Sequence, residues 1–136
     1  MPNLEEFCTI EANLTMSVIG NTPAGMRIDF PFEGIATSAH WEGERPVKGV
    51  DYATVRGDGT MDLDIHGVIG SGREKVSYSA SGVSLAGEEQ GVAYPRELLT
   101  FATADKAMSF LNDSIGVALG KGGDGKLSLT VYLVSD

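Results

Sequence analysis

One cysteine, Cys8, is the whole thiol content of this 136-residue chain. That excludes an intramolecular disulfide, a C-x-x-C redox pair and a cysteine cage for zinc. Histidine is nearly as scarce. His40 and His66 stand without an H-E-x-x-H pair or a close cysteine, so no metal centre is expected. Basic residues are few, ten against nineteen Asp and Glu, which leaves a net charge of −9. Phosphate recognition needs clustered Lys and Arg, so neither nucleic acid nor an anionic membrane is a main partner. A long apolar run is missing too. Met1–Phe7 carries Glu5 and Glu6 and no basic or apolar leader, so neither signal peptide nor membrane span is expected and the cytoplasm is the default compartment. Without a secretory route, the sequons at Asn13-Leu-Thr15 and Asn112-Asp-Ser114 read as coincidences. No G-x-S-x-G elbow is present, which leaves a hydrolase triad without support.

What the chain does have is β texture. From Cys8 to Val18, Cys8, Ile10, Ala12, Leu14, Met16 and Val18 alternate with Thr9, Glu11, Asn13, Thr15 and Ser17. Strand side chains change face at every residue, so this predicts one long strand with a dry and a wet side. Cys8 falls on the dry side and reads as a small buried hydrophobe rather than a nucleophile. Glycine is abundant, with eighteen residues, roughly double the average usage of about 7%. The glycines cluster at turn sites: Gly20–Gly25, Gly57-Asp58-Gly59, Ser71-Gly72 and Gly122–Gly125.

Roughly eight strands result, in a curved antiparallel sheet that closes on a core or cavity, rather than a helical or Rossmann architecture. The expectation is a single all-β domain over residues 1–136, an antiparallel β-barrel. One segment breaks the period. Ala104, Met108 and Leu111 follow a helical spacing, which predicts a short helix over Ala104–Asn112, with Thr103 as N-cap and Asp105 in the first turn. Residues 40–50 are polar and aperiodic and read as an exposed loop.

Several motifs bear on function. Gly120–Gly125 satisfies G-x-G-x-x-G, but an alternating strand pattern follows where a phosphate loop needs a helix N-terminus, so it is a hairpin turn. The ladder Asp62-Leu-Asp64-Ile-His66 puts two carboxylates and an imidazole on one face of one strand. That face is either solvated surface or, if the barrel is wide, part of its lumen. Asp51 shares a side with Ala53 and Val55, while Arg56 follows Tyr52. Asp51 is either a turn-entry residue after Gly49 or a buried carboxylate that must be paired, hydrogen-bonded or kept neutral.

The order of Thr22-Pro-Ala-Gly25, Phe32-Glu-Gly34, Gly49-Val-Asp51-Tyr52, Arg56-Gly-Asp58-Gly59 and Asp62-Leu-Asp64 resembles the DUF3237 family, also called UPF0311. Tyr78 with Gly82, Phe101-Ala-Thr103, Phe110-Leu-Asn112, Gly116 and Val131-Tyr132 extend the match over nearly the whole chain. The resemblance implies a small antiparallel barrel with a cavity and a short helix, and a function largely unassigned. Two positions depart from the family pattern. Tyr52 stands where a Trp is usual, and His66 where another basic residue is usual.

Two readings follow. The first is a cofactor-independent enzyme that rearranges, cyclises or dehydrates a small, oxygenated, largely apolar molecule in the barrel. Asp51 and His66 would then serve as acid and base, Arg56 and Tyr52 would hold the substrate, and Tyr78 would donate a hydrogen bond. The second is a barrel that binds such a ligand without chemistry. A homodimer is the expected assembly.

Overall fold

The computed structural model describes residues 2–87, 89 and 91–135. It contains strands β1 (Asn3–Leu14), β2 (Ser17–Thr22), β3 (Gly25–Thr37), β4 (Arg45–Val55), β5 (Met61–Ile69), β6 (Val76–Ala86), β7 (Ala93–Thr103), β8 (Ile115–Gly123) and β9 (Lys126–Ser135). Each strand pairs antiparallel with its sequence neighbour from β2 to β9; β9 pairs with β1, and β1 pairs with β3. The circuit from β1 through β9 back to β3 is therefore closed, an eight-stranded antiparallel barrel. β2 lies outside it, continuing along the edge of β3 where β1 stops. No described helix is long and apolar enough to cross a membrane.

The long strand expected over Cys8–Val18 is broken at Thr15 and Met16. The cause is Pro31, which the shared register of β1 and β2 on β3 sets opposite Thr15. Proline has no N–H to give the ladder, so one bond of the pair is missing there. The other survives, Thr15 N donating to the Pro31 carbonyl at 2.9 Å. Cys8, Ile10 and Ala12 are buried, but Met16 and Val18 are 65% and 59% exposed. The dry face ends with the closed part of the barrel.

The predicted helix is present as a 3-10 helix over Lys106–Asp113. Met108 and Leu111 are buried beneath it, and their spacing of three residues suits a 3-10 helix as well as an α-helix. Ala104 is exposed and outside the helix, and the cap is Asp105, whose carboxylate accepts from Ala107 N at 3.1 Å. Thr103 sits one step earlier in the relay. Its Oγ1 accepts from Asp105 N and donates to the Lys75 carbonyl.

Residues 40–50 are not all loop. β4 begins at Arg45, its phase hidden because inward Arg45 and Gly49 are not apolar. The loop itself folds back onto the barrel end: Trp41 is edge-on to Phe7 at 5.7 Å and lies under the Arg45 guanidinium at 4.6 Å. With the 3-10 helix it stoppers that end.

One row of residues crosses the barrel at mid-height. Phe32 pairs with Gly49, Gly49 with Gly67, Gly67 with Tyr78, and Tyr78 with Phe101. The two glycines leave room for the rings to lie flat against the wall. A Cβ on Gly67 would come within 2.5–2.7 Å of the Tyr78 ring, and one on Gly49 would collide with the Phe32 ring and the His66 carbonyl. The aromatic row is thus a floor, with the stoppered core below it and space above. Gly67→Ala should therefore destabilise the fold by about 1–3 kcal/mol, the usual size of an overpacking strain. In a Tyr78→Leu background the same change should cost less than about 1 kcal/mol. Urea unfolding of the four proteins in this cycle measures the coupling, and equal costs in both backgrounds would remove the floor.

Candidate functional site

Above the floor the lumen widens into a cavity of about 500 Å³ that opens between Met16 and the turns at residues 91–93 and 122–125. Leu14, Phe30, Met61, Leu63 and Leu127 make most of its wall apolar. Polar side chains interrupt that wall: Asp51 from β4, Ser84 from β6 and Glu97 from β7, with Thr15 and Asp124 also in the lining. Asp51 points inward because it shares the phase of buried Val47 and Ala53. Glu97 does so because it shares the phase of Pro95, Leu99 and Phe101. Its cross-strand neighbours are Gly82 and Ala118, which carry little or no side chain and leave space around the carboxyl.

Both carboxyls sit in an unfavourable place for charge. Burial pushes the Asp51 pKa up to about 6, against one hydrogen bond that Asp64 N donates to Oδ1 at 3.3 Å, while the carboxylates of Asp64 and Asp29 push it further up. Glu97 is only 4% exposed. Burial, reinforced by the charge of Asp51, pushes its pKa up to about 8. Near neutral pH Asp51 is the ionised member and Glu97 the protonated one, the charge of Asp51 helping to hold that proton. The two supply a base and an acid to one cavity. Tyr78 in the floor is pushed well above the ordinary phenol value, first by burial and then by Glu97, Cys8 and Asp51, so it remains a hydrogen-bond donor. Burial, with help from Glu6, raises the Cys8 thiol to about 12, which makes it inert.

Asp51 and Tyr78 are thus brought together inside the barrel, and the other expected site residues are not. Leu63, Ile65, Gly67 and Ile69 take the inward phase of β5, so Asp62, Asp64 and His66 face outward. The ladder is the solvated face, and His66 does not share the lumen with Asp51. His66 Nε2 lies 3.3 Å from Asp64 Oδ1, in an outer cleft of about 450 Å³ shared with Arg27 and Tyr52. Tyr52 is covered there by the Arg27 guanidinium at 5.1 Å. Arg56 is in the β4–β5 hairpin, exposed and paired with Asp58 at 3.1 Å and Asp62 at 3.3 Å. Among the described residues, no group of three or more His, Cys, Asp or Glu is placed to hold a metal ion. The site residues that sequence reading missed are Glu97 and Ser84. The signal for Glu97 was there: in Ala93–Thr103 it is the one charge in the register of Pro95, Leu99 and Phe101.

The chain belongs to DUF3237, a protein family of unknown function, whose model matches residues 2–134. No curated protein matches it in sequence. Among solved structures it is similar to a β-barrel-like protein from Acinetobacter baumannii AYE, with a TM-score of 0.85, 16% identity, and 99% of this chain and 97% of that one covered. A protein of unknown function from Clostridium acetobutylicum ATCC 824 is similar at a TM-score of 0.85 and 22% identity, covering 99% and 98%. An enzyme from Penicillium herquei is similar at a TM-score of 0.68 and 21% identity, covering 98% and 95%. At these identities the likeness is one of fold.

The raised carboxyls fix a sign for stability. Their ordinary values are 3.8 for Asp51 and 4.5 for Glu97, so between those and the folded values the native state binds more protons than the unfolded chain. Stability must then fall as pH rises toward 8, by at most about 1.4 kcal/mol per pH unit for each proton. Glu97→Gln should flatten this decline between pH 6 and 8 and leave the variant more stable than the parent at pH 8. Urea unfolding at three pH values decides it; parallel curves would mean that Glu97 is not held protonated.

Proposed function

We propose that the protein is a cofactor-independent enzyme of the isomerase, cyclase or dehydratase type. Its substrate is a small, oxygenated, largely apolar molecule held in the lumen above the aromatic floor. The observation that carries this reading is the presence of two carboxyls, half-buried Asp51 ionised and buried Glu97 protonated, on the wall of one largely apolar cavity. Asp51 accepts a proton from a C–H or O–H of the substrate. Glu97 gives a proton to the carbon or oxygen that becomes electron-rich, or to a departing hydroxyl. After one turnover Asp51 holds the proton and Glu97 lacks it, and transfer from Asp51 to Glu97 restores the pair. Ser84 in the cavity wall is the neutral group that supports an oxygen of the substrate, while Tyr78 lies in the floor outside the lining. The shared barrel of the Penicillium herquei enzyme supports a catalytic use of this scaffold. An open mouth favours the other reading, a barrel that holds the same ligand without chemistry.

A generic substrate separates the two. 5-Nitrobenzisoxazole is of a size for such a cavity, and when a base removes its C3 proton the N–O bond breaks to give a nitrile and a coloured phenolate. The parent should open it faster than an equal concentration of acetate, with a rate that climbs through pH 6 as Asp51 ionises. Asp51→Asn should lower that rate about a hundredfold or more, the usual scale of general-base catalysis. Binding of the probe with equal rates in both proteins would establish the non-catalytic barrel instead.

A further inference from the structure

A carboxyl that is only 4% exposed normally faces a cation or a set of hydrogen-bond donors. Among the described residues Glu97 faces neither. Its ionisable neighbours are Asp51, whose charge raises it rather than satisfies it, and the neutral phenol of Tyr78, and Asp124 adds a further carboxylate to the cavity lining. Among the described residues that line the cavity there is no Lys, Arg or His. What the pair does face is about 500 Å³ of space, with the ring of Phe30 on the same wall. An anion placed there would add a further negative centre to a dry site. A neutral hydroxyl could bond to one carboxyl. An ammonium group could make a charge-assisted hydrogen bond to Glu97, with the charge of Asp51 and the ring of Phe30 in the same lining.

We infer that this lumen selects its ligand by charge: it takes a small apolar molecule bearing a protonated amine in preference to the isosteric alcohol, and excludes the isosteric acid. The inference deepens the reading of the lumen as a ligand site and needs no chemical step there. Binding has a proton balance of its own. R–NH3⁺ meets Glu97–COOH, the ion pair R–NH3⁺ with Glu97–COO⁻ forms, and one H⁺ passes to the buffer. In a reaction, the same preference would stabilise a substrate that becomes positively charged when Glu97 protonates it.

Benzylamine, benzyl alcohol and benzoate have nearly one shape and three charges, which makes them the probes. Calorimetric titration at pH 7 and physiological salt, in phosphate and in Tris, reads both affinity and the protons released. Benzylammonium should bind about tenfold or more tightly than benzyl alcohol, benzoate should not bind, and the heat should differ between buffers by close to one proton per site. In Glu97→Gln the proton release should vanish and the preference for the amine should collapse. Equal or tighter binding of the alcohol, binding of benzoate, amine binding without proton release, or no binding by any probe overturns the inference. The catalytic reading fails separately. Opening of 5-nitrobenzisoxazole by a protein that prefers the alcohol would defeat charge selection alone, whereas amine selection without opening would defeat catalysis alone.

Discussion

The pairing of β1 with β3 is the constraint on which the rest of this molecule depends. It runs from Thr9 opposite Thr37 to Leu14 opposite Phe32 and turns an open sheet into a closed wall. The join is tight at Gly34, where a Cβ would collide with the Glu11 carbonyl and the Ala12 backbone. Closure abolishes two sheet edges and gives alternation an absolute meaning, because inward residues now share one enclosed volume. Without it Asp51 and Glu97 would be two carboxyls on the face of a curved sheet, solvated and ordinary. The unusual protonation of the site is a consequence of topology before it is a property of either residue.

Closure alone would fill the barrel. Eight strands leave an interior just wide enough for side chains or one small ligand, so the volume above the floor has to be kept open. Two devices do this. The flat rings of Phe32, Tyr78 and Phe101 consume the middle of the barrel, made possible by Gly49 and Gly67, and separate the stoppered end from the open one. Above them, residues with small side chains or none (Gly82, Ala118, Ser84) stand where a packed barrel would place Leu or Ile. The same glycine abundance that reads as turns in the sequence thus has a second use inside strands. There it decides where the core stops.

Legibility followed the physics of alternation. The dry phase of β1 from Cys8 to Ala12 was plain because apolar residues filled it, the inward face of β5 was left open between its two sides, and the Asp124-Gly125 turn was plain because both residues adopt the left-handed conformation that hairpins of this kind require. The break at Thr15 was hidden, since the proline that causes it lies in another strand. Asp51 could be singled out because it shares a side with Ala53 and Val55. His66 could be singled out too, but its pairing with Asp51 required the polar face of β5 to point inward, and Leu63 and Ile65 claim that side by burial. Glu97 went unread for a different reason. Beside Arg96 it looks like half of a solvated pair, and only the phase of the whole strand shows that the two residues point to opposite sides of the wall.

Among the described residues, four titratable groups inside this barrel are pushed toward their neutral forms, and the contrast among them separates structure from function. Cys8 and Tyr78 are shifted toward their neutral forms, and neutral is what each already is at physiological pH, so burying them asks nothing of the fold. Asp51 and Glu97 are shifted toward neutrality too, but through the physiological range, and each penalises the fold as pH rises. A Gln at 97 or an Asn at 51 would fill nearly the same space without that penalty. Among the described residues no cation is satisfied by Glu97, whose cross-strand neighbours are Gly82 and Ala118, and the one hydrogen bond Asp51 accepts, from Asp64 N, an Asn oxygen could accept as well. Groups held at a standing cost to stability, aimed into an open apolar cavity and poised to exchange a proton, are accounted for by what enters the cavity rather than by what holds it together.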